Sequence, residues 1–256
     1  MKIPLVLFTT LFISFLLPAL ADTSSSPRIV TGNVIANRTV TLATRTMGRI
    51  TRVHAAEGDA VSRGQVIVEI DDTEYRARLR STEAALDRTQ AELAHRKRIS
   101  NRLQKLAKNK AVSQDAIDEA IYGVEVAAAN LKAAQAEIEA TRSTLAETRI
   151  RVPFDAVVIR KFAEIGLVTQ PGQALYEVQD QSQLKFRARV KGRDLAHIKL
   201  SDQVQISISA FDDKPLSASV IRIIPNGDDR HTFIIELDLP KIPGLYPGMF
   251  GKAVFQ

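Results

Sequence analysis

Four histidines, His54, His95, His197 and His231, are the side chains best suited to ligate a metal or carry a proton. None stands at a close ligand spacing from another donor, so the sequence offers no zinc-type site. Soft metals need thioether or thiolate groups. Beyond Met1 the methionines are Met47 and Met249, and cysteine is absent, so a copper or silver site lacks its ligands. The lack of cysteine also excludes disulfides, thiol chemistry and a lipid anchor on an N-terminal cysteine. No phosphate-cradling loop, nucleophile elbow or zinc-protease helix occurs. The acidic cluster Asp71, Asp72 and Glu74 comes nearest to a pair of working carboxylates. It reads instead as a helix start, with an aspartate as cap and Glu74 closing a capping box near the positive end of the dipole. An enzyme, a cofactor and a metal are all unexpected.

Chemistry gives way to architecture once the chain is compared with itself. Gly58-x5-Gly64-Gln65-x3-Glu69-Ile70-x-Asp72 returns 108 residues later as Gly166-x5-Gly172-Gln173-x3-Glu177-Val178-x-Asp180, and Ile50 aligns with Val158. Both copies carry β-rich runs, 50–53 and 66–70 in the first, 156–159 and 174–178 in the second. The glycines stand where turns need positive φ. Two such halves predict a small sandwich closing across a pseudo-dyad.

Between the copies the period changes from two to three and a half. Tyr75, Leu79, Thr82, Leu86, Thr89 and Leu93 alternate by four and three, and Leu103 resumes the series. Ile117, Val124, Leu131, Ile138 and Leu145 recur every seven residues, with Ala120, Ala127, Ala134, Thr141 and Thr148 as companions. This is a coiled-coil pattern. From 72 to 148, Gly123 is the only glycine, and proline is absent. The break falls at Asn109 to Ser113, where Asn109 can end one helix in the left-handed conformation and Ser113 can cap the next. Helices of about 36 residues make a rod of roughly 55 Å. Val152-Pro153-Phe154 is expected to close the second helix.

The flanks complete the outline. Lys2, the apolar run Ile3 to Leu17 and Ala19-Leu20-Ala21 form a secretory signal with cleavage expected after Ala21, retention as an uncleaved anchor being the alternative. The tail from Gln183 alternates as short strands, with a short helix over 194–200, which predicts a small β-barrel. Residues 28–42 are expected to add a strand to that barrel. The net charge of +6 is scattered and aromatics make up only 5%, so a nucleic-acid partner is not expected.

With these residues in order, the sequence resembles the periplasmic adaptors of tripartite efflux pumps, the membrane fusion proteins. Gly48-x-Ile50, Glu57-Gly58-Asp59-x-Val61-x-x-Gly64-Gln65, Thr148-x-Ile150-x-x-Pro153-Phe154-Asp155 and Gly166-x-Val168-x-x-Gly172 resemble their split lipoyl-like domain. Asp194-Leu195 and Leu245-x-Pro247-Gly248-Met249 resemble their barrel. The resemblance implies an elongated mixed α+β fold: a lipoyl-like barrel-sandwich hybrid split by an antiparallel coiled-coil α-hairpin, then a small β-barrel. The expected division is a signal peptide over 1–21, an N-terminal segment and barrel strand over 22–43, lipoyl-like halves over 44–71 and 149–181, the hairpin over 72–148 and the barrel over 182–256. Family members often have a membrane-proximal domain, and the expectation here is that it is absent or minimal. Gly58, Gly64, Gly166, Gly172 and Gly248 are expected as structural turns.

The resemblance also implies partners. They are an inner-membrane transporter of the resistance-nodulation-division (RND) type, an outer-membrane duct and further copies forming a ring or funnel in the periplasm. Duct-binding adaptors carry Arg, Leu and Ser at the spacing of Arg102, Leu106 and Ser113, which would meet the duct's helices. The bland reading is a solvated arginine, a seam leucine and a helix cap. A lipoyl or biotin carrier would need a lysine at the turn between halves, and no lysine occurs from residue 3 to 96. An ABC or secretion-system adaptor and a free-standing periplasmic scaffold are the alternatives.

Overall fold

The two repeat copies build one sandwich by exchanging strands. A computed structural model describes residues 28–109, 111–211, 214–225 and 231–255, so the expected signal at 1–21 lies outside the described residues. Before the arm come β1 (Arg28–Ile35), β2 (Arg38–Ala43), β3 (Gly48–Val53), β4 (Ala60–Val61) and β5 (Val66–Ile70). The helices α1 (Thr73–Ala107) and α2 (Gln114–Ala146) follow. Then come β6 (Arg149–Arg151), β7 (Ala156–Lys161), β8 (Val168–Thr169) and β9 (Ala174–Asp180). The remaining elements are β10 (Lys185–Lys191), α3 (Gly192–Leu195), β11 (Gln203–Ile208), β12 (Pro215–Ile224), β13 (Thr232–Asp238) and β14 (Phe250–Phe255).

The sandwich sheets run β2-β9-β7-β4 and β6-β5-β3-β8, so each takes strands from both copies. The pseudo-dyad shows in the hydrogen bonds. Gly58 N–H donates to the Val158 carbonyl and Gly166 N–H to that of Ile50, both at 2.9 Å, one bond repeated 108 residues on. Gly58, Gly64, Gly166 and Gly172 have φ between 82° and 91°, and a Cβ at any of them would meet nothing within 4 Å. Glycine is therefore required there by the left-handed backbone and not by crowding. Ile50, Ile67, Leu175, Tyr176 and Val178 are fully buried between the sheets. The Tyr176 hydroxyl donates to the Ala55 carbonyl at 2.5 Å, and burial pushes its pKa up to about 12.

A closed barrel of order β1-β10-β13-β12-β11-β14 follows the sandwich. β1 bonds both β10 and β14, which leaves no open edge. Period-two alternation sends Phe186, Ala188 and Val190 inward and Lys185, Arg187, Arg189 and Lys191 outward. Phe186, Ile206, Ile208, Ile235 and Leu237 have no exposed surface, each stabilising the barrel by about 1.5–3 kcal/mol.

Several local expectations are corrected. The strand expected over 28–42 divides: β1 joins the barrel, but β2 pairs with β9 in the sandwich. The turn between them is held by Asp180, whose carbonyl accepts from Asn37 N–H at 3.1 Å. The short helix lies over 192–195, earlier than expected, and α2 ends at Ala146, before a strand rather than at Pro153. No capping box forms at α1. Asp71 Oδ1 accepts from Thr73 N–H and its hydroxyl, and Asp72 pairs with Arg76 at 2.8 Å.

Candidate interface at the hairpin tip

α1 and α2, 35 and 33 residues long, pair antiparallel as an arm of about 50 Å. The four-three alternation continues through α1 without a gap. Arg96 and Ser100 occupy the positions between Leu93 and Leu103, and Ser100 is the one buried residue of the helix. On α2 only Ala127, Ile138 and Thr141 are buried. Seam leucines such as Leu79, Leu86 and Leu93 stay half-buried, because two helices alone cannot enclose them. No helix among the described residues is long and apolar enough to cross a membrane.

The tip brings Arg102, Leu106 and Ser113 to the distal end. Arg102 and Leu106 lie one turn apart on α1, and Ser113 opens α2. Arg102 is exposed, and Leu106 is 42% exposed, high for a leucine with seam neighbours. Ser113 is extended, and its hydroxyl accepts from Ala116 N–H at 3.4 Å, so it does cap the helix, with Asp115 in the first turn. Asn109 does not take the left-handed conformation. The left-handed non-glycine residues among those described are Ser201 and His231, and α1 closes in a right-handed turn with Asn109 N–H on the Leu106 carbonyl at 3.1 Å.

Gly248 has the positive φ its turn needs, at 94°, and donates to the Val34 carbonyl at 2.8 Å, tying the last barrel turn to β1. Among the described residues no cluster of three or more His, Asp or Glu could hold a metal.

One functional group escaped the sequence reading although its residue stood in the repeat. Asp180, the counterpart of Asp72, lies at the joint between sandwich and barrel. Its carboxylate accepts from Asn37 Nδ2 at 3.0 Å, Arg38 Nε at 3.1 Å and Ser182 N–H at 3.0 Å. Burial opposes its charge, yet the hydrogen bonds from Ser182, Asn37 and Arg38 outweigh it and bring the pKa to about 2. Arg38 also lies over the Phe154 ring at 3.9 Å. Each repeat thus ends in an aspartate where the chain leaves the sandwich, Asp72 for the arm and Asp180 for the barrel. The repeat marked both positions; only long-range contacts show what the second does.

A sandwich split by a helical arm and followed by a closed six-stranded barrel is the architecture of the membrane fusion proteins, the periplasmic adaptors. A family profile described as "CzcB-like, barrel-sandwich hybrid domain" matches residues 38–180, more than half of the chain, and the chain belongs to that family. Among its relatives, the multidrug resistance protein MdtA of Yersinia enterocolitica is 33% identical over 150 residues, 58% of this chain and 34% of that protein. MdtA of Pantoea ananatis is 35% identical over 150 residues, 58% of this chain and 37% of that protein. The match thus spans about a third of the length of these relatives. The fold is shared with MacA from Actinobacillus actinomycetemcomitans, at TM-score 0.75 and 22% identity over 90% of this chain and 78% of that one. It is shared too with the membrane fusion protein Spr0693 from Streptococcus pneumoniae R6, at TM-score 0.68 and 17% identity over 90% and 98%.

Proposed function

We propose that this chain is the periplasmic adaptor of a tripartite efflux pump, linking an inner-membrane transporter to an outer-membrane duct for export of small molecules. The observation that carries the reading is the arm: a rod of about 50 Å whose end presents an exposed arginine and an exposed leucine beside a helix cap. In this reading Arg102 donates to carbonyls or carboxylates of the duct, Leu106 packs on its helices and Ser113 adds a short polar contact while still capping α2. Copies stand side by side in a ring, so weak contacts at many tips add up. The chain carries out no reaction of its own.

The name of the MdtA relatives, multidrug resistance protein, supports small molecules as cargo; an RND-type transporter as the inner partner rests on the sequence resemblance. The test is co-purification from membranes. The parent chain is expected to bring down an outer-membrane protein, and Arg102→Asp to lose it at least tenfold. Equal recovery with both would overturn the tip assignment.

A further inference from the structure

A glutamate is buried on the outer wall of the barrel. Strand alternation on β13 sends Ile235 and Leu237 into the core, so Glu236 between them points outward, yet its side chain is only 2% exposed. Two arginines cover it. Arg187, directly opposite on β10, donates through Nη2 and Nε to Glu236 Oε1 at 2.6 and 3.2 Å. Arg222 on β12 sets its Nη1 3.3 Å from Oε2. Its place there depends on a bulge. Val220 pairs with Leu237 but Arg222 with Glu236, so β12 carries one extra residue between them. An unbroken ladder would set Ile221 opposite the glutamate; the bulge sets an arginine there instead.

A second wall comes from the sandwich. Arg38 opens β2, and its Nε donates to Asp180 Oδ2 at 3.1 Å, a carboxylate 6% exposed. Two buried carboxylates thus hold three guanidiniums, each by one edge of its fork. Each of the three remains open to water. Lys185 lies two residues before Arg187 on the same face of β10 and has no ion-pair partner among the described residues. Asp238, opposite it in the ladder, is turned to Ser219, accepting from its N–H at 2.6 Å and its hydroxyl at 3.0 Å. Arg38, Lys185, Arg187 and Arg222 line one groove of about 470 Å³ at the joint, with Glu236 in its wall. Burying carboxylates beside arginines returns little stability. What it does achieve is to fix the guanidinium forks while leaving the other edge of each unspent.

We propose that this groove binds a doubly charged oxyanion of the phosphate type, held by Lys185 and the unspent edges of Arg38, Arg187 and Arg222, and that the ion ties barrel to sandwich. Four cations against Asp180 and Glu236 leave an excess of two positive charges, which matches a hydrogen phosphate dianion, and fixed guanidinium forks suit its oxygens. Glu236 touches no ligand; it is a positioning residue for two of the arginines. Free phosphate and the phosphomonoester headgroup of a lipid share this chemistry. The site lies away from the arm tip and depends on neither duct nor transporter.

The test is titration calorimetry of the purified full chain with inorganic phosphate, chloride keeping the ionic strength constant. Saturable one-to-one binding is expected. Lys185→Gln with Arg222→Gln should weaken it at least tenfold. Lys191→Gln with Lys252→Gln removes the same charge from outward barrel positions beyond the groove and should change it less than twofold. Glu236→Gln separates a built site from a basic patch. It adds one positive charge, so a patch would bind phosphate more tightly, whereas unpinned arginines should bind it at least fivefold more weakly. Circular dichroism verifies that each variant is folded. Bridging is read from amide exchange at Asn37, whose N–H bonds the Asp180 carbonyl where the chain crosses the joint, and which should slow at least threefold in saturating phosphate. Vesicles identify the source. Pelleting with phosphatidic acid but not phosphatidylcholine, reversed by phosphate, would assign a lipid headgroup; phosphate binding without pelleting would assign the free ion. No saturable binding, equal losses in the two double variants, tighter binding by Glu236→Gln, or unchanged exchange at Asn37 would overturn the proposal.

Discussion

The body and the arm are built from the same alphabet to opposite ends. In the barrel and sandwich, strand alternation puts one face of every sheet into a core where Ile50, Ile67, Leu175, Phe186, Ile206 and Ile235 have no exposed surface. In the arm, two helices of 35 and 33 residues bury only Ser100, Ala127, Ile138 and Thr141. The body leaves apolar residues such as Ile29, Ile165 and Leu200 exposed around a closed core, whereas the arm has almost no core and leaves Leu106, Ile121, Tyr122 and Val126 in water. A pair of helices that encloses so little would gain burial from neighbours in the proposed assembly.

The largest effect that should separate the regions is a core truncation. Phe186→Ala removes a fully buried ring from the barrel and is expected to cost about 3–5 kcal/mol in denaturant unfolding. Leu93→Ala, in the half-buried seam, should cost about 1 kcal/mol, seen as lost helical signal. Comparable costs would erase the contrast.

Next comes the joint. Asp180 titrates at about 2, below its ordinary value near 3.9, so its carboxylate stabilises the fold above pH 4 and that contribution is lost as the pH falls through about 2. Asp180→Asn should cost about 2 kcal/mol at neutral pH and flatten the acid limb of the stability profile between about pH 4 and 2. An unchanged limb would show that Arg38 and Asn37 do not depend on this charge.

The smallest effect lies in the distal arm. Gly123 is right-handed helical, and a Cβ there meets only the Arg96 side chain, Cδ at 3.7 Å and Nη1 at 4.0 Å, ordinary contacts. Gly123→Ala should therefore stabilise the arm by about 0.5–1 kcal/mol, read as a higher melting temperature of the helical signal. Destabilisation would mean that the helices approach more closely at this level than the structure shows.

These contrasts also mark what the chain discloses before it folds. The repeat was legible because Gly58, Gly64, Gly166 and Gly172 need a backbone that other residues avoid, and the arm because its seven-residue period survives any detail of packing. The exchange of strands between halves was not legible, since it is a property of pairing 108 residues apart. Neither was the division at Ala36-Asn37, which lacks glycine and proline and is held by Asp180 from the far end of the sandwich. In the seam, the polar side chains of Arg96 and Ser100 mask the heptad that runs through them, although Ser100 is buried. At the tip, Ser113 shows its cap directly, while exposure alone makes Arg102 and Leu106 available.

That availability is the centre of the account, and a photo-reactive phenylalanine analogue at Leu106 reads it most directly. In native membranes under illumination, Leu106 is expected to crosslink to an integral outer-membrane protein, whereas the same analogue at the exposed barrel residue Ile29 does not. Crosslinks to that protein from Ile29 and none from Leu106 would place the contact on the body and contradict the arm as the element that reaches the duct.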